Sequence, residues 1–319
     1  MSAENVLFDA AGPKARRRHT LLAVLVGIAS LGVLAWVLTK LGEKGNLTAE
    51  KWTPFLRADT WTEYLIQGIG GTLTAAAISI AFAGILGLLM GMGRLSHNTP
   101  LRWFSSVFVE FFRAVPVLMM MIFSFALYSL YEVFPPERLA LAGVVTGLTF
   151  YNAAVMAELL RAGVGSLPSG QREAGLSIGL TPVQTLRTIL LPQALTAMLP
   201  AIVGQLVVIL KDSALGSQIT YVELLLQGQT LGTARANTIP AFIVTAVIFI
   251  TMNYLLTVLA SRLERRMRQR GHTSGTIPTV RGQAESAALQ LQGPAAVRLA
   301  TRGNEKATRK ATKVLPGER

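Results

Sequence analysis

At 319 residues, with 51% hydrophobic and only 15% charged side chains, the chain is too apolar for an ordinary soluble domain, and its mean hydropathy of +0.46 agrees. It has no cysteine, which excludes disulfides, thiol catalysis and thiolate metal sites, and three scattered histidines (His19, His97, His272) suggest no metal site. The formal charge of +13 gathers beside apolar runs and towards the C-terminus, as in a membrane protein rather than a nucleic-acid binder.

In chain order, residues 1–19 are polar and end in Lys14, Arg16, Arg17 and Arg18, and the uncharged run Thr20 to Thr39 is long enough to cross a bilayer. That run is too long for the apolar core of a secretory signal, and no small-x-small cleavage site precedes Lys40, so a retained signal-anchor helix is expected. Residues 40–66 mix both charge signs with Trp52 and Trp61, which either mark a membrane interface or pack within this segment. A second uncharged run, Tyr64 to Gly93, carries Gly87 and Gly91 in a GxxxG pair suited to close helix contact. The third expected span, Trp103 to Tyr131, contains Glu110 and Arg113, charges that inside a bilayer are functional or paired. Leu139 to Ala157, Thr188 to Leu210 and Ala236 to Ser261 are the remaining runs, with an amphipathic, mostly helical segment expected at 217–235. After Ser261 comes RLERRMRQR; residues 263–319 have too few large apolar side chains to offset chain entropy and read as a basic, disordered tail.

Lysine and arginine divide between alternate sides in a ratio of roughly three to one, which predicts that both termini and the 158–192 stretch are cytoplasmic. No Gly-Lys dipeptide occurs, so there is no P-loop. Nor is there a Ser-His-Asp, Cys-His or paired-carboxylate constellation, and no catalytic residue is expected.

The stretch Glu158 to Pro192 carries the strongest local signals. Gly170 to Ile178 suits one helix, with Ser169 as N-cap and Gly179 ending it left-handed. Thr181-Pro182-Val183-Gln184 opens a second with a capping box and proline at the first position. Val183, Leu186 and Leu190 form its apolar stripe, and Pro192 predicts a break or kink. Glu173-Ala174-Gly175, Gly179, Ile189 and Leu191-Pro192 fall at the spacing of the EAA pattern and resemble that signature of ATP-binding-cassette (ABC) importer permeases, with Gly175 where the pattern has a third alanine.

The resemblance extends further. Glu110-Phe111-Phe112-Arg113-Ala114-Val115-Pro116, the helix YNAAVMAELLR from Tyr151 to Arg161, Ser169 to Ala174, and Lys211-Asp212-Ser213-Ala214-Leu215 are all similar to segments of polar amino-acid uptake permeases. The opening VLFDAAGPKARRR and EKWTPFL resemble the glutamate-uptake members. This resemblance implies an all-α integral membrane fold, the type I ABC importer transmembrane domain, with about six transmembrane helices. Residues 1–66 would be an N-terminal tail, first membrane helix and outer segment, 67–262 the permease core with a cytoplasmic coupling loop at 165–192, and 263–319 the tail.

It implies in addition that Glu173, Ala174, Gly175, Gly179, Ile189, Leu191 and Pro192 couple to an ATPase dimer that binds ATP and Mg, this chain holding no cofactor and no metal. A second permease subunit, a homologous heteromer, and an extracytoplasmic solute-binding protein complete the expected assembly in a bacterial plasma membrane. Contact with membrane lipid is expected, and none with nucleic acid. Glutamate is the expected cargo; glutamine, aspartate, arginine or histidine are the alternatives, and an ion-gradient secondary transporter is the competing class, although the inverted repeats common in such folds are not seen.

Candidate path residues are Tyr151, Asn152 and Glu158, with Arg113 and Lys211 as cations to offset a carboxylate. Each has a structural alternative: Glu110 with Arg113 and Glu158 with Arg161 suit helical ion pairs, Asn152 suits a bond to a neighbouring helix, and Lys211 suits snorkelling.

Overall fold

A bilayer interior supplies no water to backbone groups, so long apolar runs resolve into helices that satisfy their own amides. The computed structural model describes residues 12–272, and among them every regular element is helical. The order is α1 (Pro13–Glu43), α2 (Ala49–Trp52), a 3-10 turn (Thr53–Leu56), α3 (Ala58–Thr60), a π-turn (Trp61–Leu65), α4 (Ile66–Arg94), α5 (Thr99–Ala114) and α6 (Val117–Leu130). There follow α7 (Pro136–Gly165), α8 (Ser169–Ser177), α9 (Pro182–Thr185), a π-turn (Leu186–Leu190), α10 (Leu191–Asp212), a 3-10 stretch (Ser213–Ile219), α11 (Leu224–Ala234) and α12 (Thr238–His272).

Five helical stretches are long and apolar enough to cross a membrane, and a bent pair makes a sixth. That pair corrects the third expected span. Instead of one helix over 103–131, α5 and α6 meet at 100° across the extended residues Val115 and Pro116. Proline disfavours the helical conformation of the residue before it, which sets the break. Phe104, Val107 and Phe111 stay exposed along one side of α5. The 14 residues of α6 reach only about 21 Å.

α7 is the central helix, packed on α4, α6 and α10. Its pairing with α4 is close because Gly87 and Gly91 leave room for the backbone at Ala153 and Ala157: a Cβ on Gly87 would sit 2.9 Å from the Ala153 carbonyl oxygen, and one on Gly91 3.2 Å from the Ala157 Cα. The GxxxG pair is therefore a working contact. α1, in contrast, buries nothing. Trp52 and Trp61 each donate an indole N–H to a local carbonyl, those of Asn46 and Phe55.

α12 continues to His272, so the basic run after Ser261 prolongs the helix into the first residues of the expected tail. Residues 1–11 and 273–319, including most of the tail expected to be disordered, lie outside the described residues.

At the end of α4 remote from Arg94, a strap at 221–224 is stitched to the helix. The Tyr221 hydroxyl donates to the Gly71 carbonyl (2.8 Å), and the Leu224 amide donates to the Thr72 hydroxyl (3.1 Å). Between those two residues, Glu223 is wholly buried and caps α11, accepting from the Leu225 and Leu226 amides at 2.7 Å each. The segment expected at 217–235 is thus helical.

Burial pushes the Glu223 carboxyl up to about 7 from an ordinary 4.5, against the two amides that lower it. The folded chain therefore keeps a proton that the unfolded chain releases near 4.5. Stability is greatest below that pH and is lost as pH rises through 7, by on the order of 3 kcal/mol. Thermal unfolding in detergent between pH 4.5 and 8 should show this decline in the parent chain and a flatter profile in Glu223→Gln, which keeps one capping acceptor without the charge. Parallel profiles would contradict the assignment.

Candidate functional site

The first candidate site is the loop at 169–192. α8 ends in a Schellman motif: Gly179, at φ +85°, donates to the Leu176 carbonyl (3.0 Å), and Leu180 donates to that of Gly175 (3.2 Å). Nothing lies within 4 Å of where a Gly179 Cβ would stand, so its requirement for glycine is one of backbone conformation alone. The expected N-cap shifts by one residue, since Pro168 takes that position and Ser169 is the first helical residue; proline's fixed φ suits the chain entry as well.

The capping box of α9 forms as expected, with the Gln184 amide donating to the Thr181 hydroxyl (3.3 Å) and the Thr181 amide to the Gln184 side-chain carbonyl (2.8 Å). The break expected at Pro192 does not occur. The π-turn over Leu186–Leu190 leads straight into α10, so a widened turn next to the ring replaces a break. α9, the turn and α10 are thereby one uninterrupted path from the loop into the membrane.

Gly175, the departure from the EAA pattern, has a local cause. It is the only buried residue of α8, and a Cβ there would lie 2.6 Å from the Thr185 methyl and 3.0 Å from the Ile189 Cδ1. The two short helices close on each other through that missing methyl. Ile189 and Leu191 are half-buried, whereas Glu173, Ala174 and Pro192 are exposed. Leu176 and Ile178 stand 40% and 76% exposed at the tip, two apolar side chains open to a partner. The stripe of Val183, Leu186 and Leu190 instead lines a cavity against the α4–α5 turn.

The second candidate site is a knot of charge where α4, α5 and α7 meet. The Arg94 side chain, only 11% exposed, donates to Glu158 (2.6 Å) and to Glu110 (3.1 Å). Arg161 binds the same Glu158 through two nitrogens, at 2.6 and 3.1 Å, and Arg113 approaches it at 3.8 Å. Glu158 therefore makes the helical pair with Arg161 and is also claimed by two arginines from other helices. The pair expected between Glu110 and Arg113 is corrected: each turns to a partner on another helix, because the buried Arg94 demands more acceptor than one carboxylate provides. Arg94 was the residue missed in the sequence, where it reads only as the flank of a short connection; no spacing relates it to Glu158.

The remaining candidates are dispersed. Asn152 is buried, donates to the Leu148 carbonyl (2.7 Å) and accepts from Gln205 of α10. It thus joins two helices, and Gln205 is its unforeseen partner. Tyr151 is half-buried one residue away, and Lys211 is exposed at the end of α10 beside the carboxylate of Asp212. Charge knot, amide pair and Lys211 lie at successive levels of the bundle rather than in one pocket.

Comparison with known proteins places this architecture. Residues 83–269 match the family described as binding-protein-dependent transport system inner membrane component. The glutamate transport system permease protein GluD of Corynebacterium glutamicum is 48% identical over 228 residues, 72% of this chain and 84% of that protein. The probable glutamine ABC transporter permease protein GlnP of Bacillus subtilis is 35% identical across 64% of this chain and 93% of its own length. The crystal structure of an amino acid ABC transporter with histidines aligns at a TM-score of 0.59 and 27% identity, covering 65% of this chain and 95% of that one. The inward-facing methionine transporter MetNI shares the fold at a TM-score of 0.57 and 22% identity, over 66% and 99% of the two chains.

Two substitutions separate backbone from packing in the loop. At Gly179, asparagine tolerates the left-handed conformation, whereas valine pays about 1–2 kcal/mol. Limited proteolysis at 169–192 should leave Gly179→Asn near the parent rate and speed Gly179→Val roughly tenfold; equal rates would remove the turn as the constraint. At Gly175, alanine gains about 1 kcal/mol of helix propensity but crowds the buried, branched Thr185, a cost of about 1–3 kcal/mol. Gly175→Ala should therefore lower the thermal midpoint, and adding Thr185→Ser, which deletes the crowded methyl, should restore it. A midpoint raised by Gly175→Ala alone would show that Thr185 yields freely.

Proposed function

The chain belongs to the family of binding-protein-dependent transport system inner membrane components, and from that premise we propose that it is the permease of an ATP-driven importer of glutamate. The 48% identity to a glutamate transport system permease over 228 residues carries this reading. A partner ATPase dimer supplies ATP and Mg chemistry, for which this chain has no P-loop, and seats on the loop tip where Leu176 and Ile178 protrude. A second, homologous permease and an extracytoplasmic solute-binding protein complete the complex. Both termini and the 169–192 loop face the cytoplasm of a bacterial plasma membrane, following the bias in positive charge.

A glutamate zwitterion leaving water needs its charges matched along the path. Lys211, exposed and with only the charge of the adjacent Asp212 beside it among the described residues, is the cation best able to meet a passing carboxylate, with Arg113 the next since its hold on Glu158 is long. Glu158 already satisfies three guanidinium groups. It therefore serves the path by holding Arg94, Arg113 and Arg161 in place more than by receiving an ammonium. Tyr151 and Asn152 line the same helix higher up, with Asn152 tying α7 to α10.

Uptake of labelled glutamate by the reconstituted complex, with membrane levels matched, tests this. Accumulation should require internal ATP, and Lys211→Ala should reduce it by about tenfold, the order of losing a charged hydrogen bond. Uptake of arginine or histidine in place of glutamate would refute the substrate. Uptake that collapses with an ion gradient but ignores ATP would refute the class.

A further inference from the structure

Two hollows on this chain meet at one residue. The first, of about 1040 Å³, lies between the α4–α5 turn and the 169–192 loop, and Arg102, Arg172 and Arg187 line it from three different elements. None of the three has a carboxylate partner among the described residues, and His97 joins them. Gathering unpaired guanidinium groups round one cavity is unfavourable unless an anion completes it. Arg94 and Arg161, on the same wall, are already paired, both with Glu158 and Arg94 with Glu110 as well.

The second hollow, of about 620 Å³, is a groove between α4 and α7 in which Ile78, Phe82, Ile85 and Leu89 face Leu141 and Val145. Leu89 lines both hollows. From Ile78 to Leu89 the groove follows α4 for about 16 Å, close to the roughly 15 Å depth of one hydrocarbon leaflet. The cationic cavity is itself walled by Met92, Leu95, Leu101 and Leu186, apolar surface that a free hydrated anion has no use for.

We propose that the two hollows together are a binding site for an anionic phospholipid of the leaflet on the loop side, its phosphate held by Arg102, Arg172 and Arg187 and one acyl chain laid along α4 from Leu89 to Ile78. The phosphate suits guanidinium forks, and the chain covers apolar side chains that α4 otherwise leaves open. Because Arg172 and Arg187 belong to α8 and the π-turn before α10, the lipid braces the loop from behind. The exposed tip residues Leu176 and Ile178 are not part of the cavity and remain free for a protein partner. Lipid binding is thus a handle on the loop that is independent of which solute is carried.

The test is native mass spectrometry of the full chain in mild detergent, titrated with phosphatidylglycerol and with phosphatidylcholine of the same chains. At about fivefold per arginine, three arginines predict a preference for phosphatidylglycerol on the order of a hundredfold. Arg102→Gln and Arg187→Gln, both at exposed positions, should each cut its retention about fivefold and leave phosphatidylcholine unchanged. Ile85→Trp, on the exposed side of α4, should lower the retention of phosphatidylglycerol by filling the groove without altering charge. Equal retention of the two lipids would overturn the proposal. So would displacement of the lipid by millimolar inorganic phosphate together with indifference to Ile85→Trp, which would make the cavity a site for a soluble anion. Release of the lipid on adding the purified ATPase would reassign the cavity to protein docking and also overturn it. No outcome depends on transport, so a failure here is distinct from a wrong substrate.

Discussion

The approach of α4 to α7 is the contact on which the rest of the molecule depends. Lipid tails are as apolar as leucine, so no hydrophobic drive joins helices inside a bilayer, and association rests on how closely backbones approach. Gly87 and Gly91 let the backbone at Ala153 and Ala157, with the Met156 and Leu160 side chains, come within the space a Cβ would take. α7 repeats the device on its other flanks. Gly147 admits the Met121 backbone of α6, and Gly163 admits the Met198 side chain of α10. A helix with small residues on several sides is a poor surface element but a good axle, and α6 and α10 are arranged round it.

At one end of that axle the packing passes from shape to charge. Arg94 ends α4 just where the small-residue contact finishes, and its guanidinium binds both Glu158 of α7 and Glu110 of α5. A half-buried carboxylate shared by three arginines is costly to assemble and more costly to break, because removing one partner leaves the others uncompensated. Such a knot fixes the angle at which amphipathic α5 leaves the bundle. At the opposite end the same helix is held by neutral hydrogen bonds, through Gly71, Thr72 and the 221–224 strap. The two ends of α4 are therefore secured by different chemistry, one sensitive to salt and the other to the proton on Glu223.

What was legible in the sequence was local. Gly179, the Thr181–Gln184 box and five of the six apolar runs each state their conformation within a few residues, and each is found. The GxxxG pair stated its function but not its partner. Expectations failed where the outcome turned on a partner or a backbone geometry that local spacing rules do not rank. The run 103–131 is apolar enough to be one span, yet Val115-Pro116 splits it and α5 turns away from α6. The three-residue spacing of Glu110 and Arg113 promised a pair, but Arg94 is a stronger claimant that no spacing rule relates to either. Gly175 stood out only as a departure from the pattern's third alanine; its cause, the Thr185 methyl, sits in the next helix. Pro192 predicted a break because a proline cannot donate its amide, and a wider turn is the alternative that sequence rules do not rank.

The unbroken path from Pro182 to Asp212 has a mechanical consequence. Treated as a beam hinged at the Schellman turn, it is about 46 Å long. A tilt of 10° at its base would carry the far end sideways by roughly 8 Å, more than the width of an amino-acid side chain. That gain is realised only if the beam is stiff; its weak points are the widened turn at Leu186–Leu190 with Pro192 near the base and, deeper along it, Pro200, where a backbone hydrogen bond is missing. The compliance of these turns, between the loop and Lys211, sets how much of any displacement at the loop arrives at the other side of the membrane.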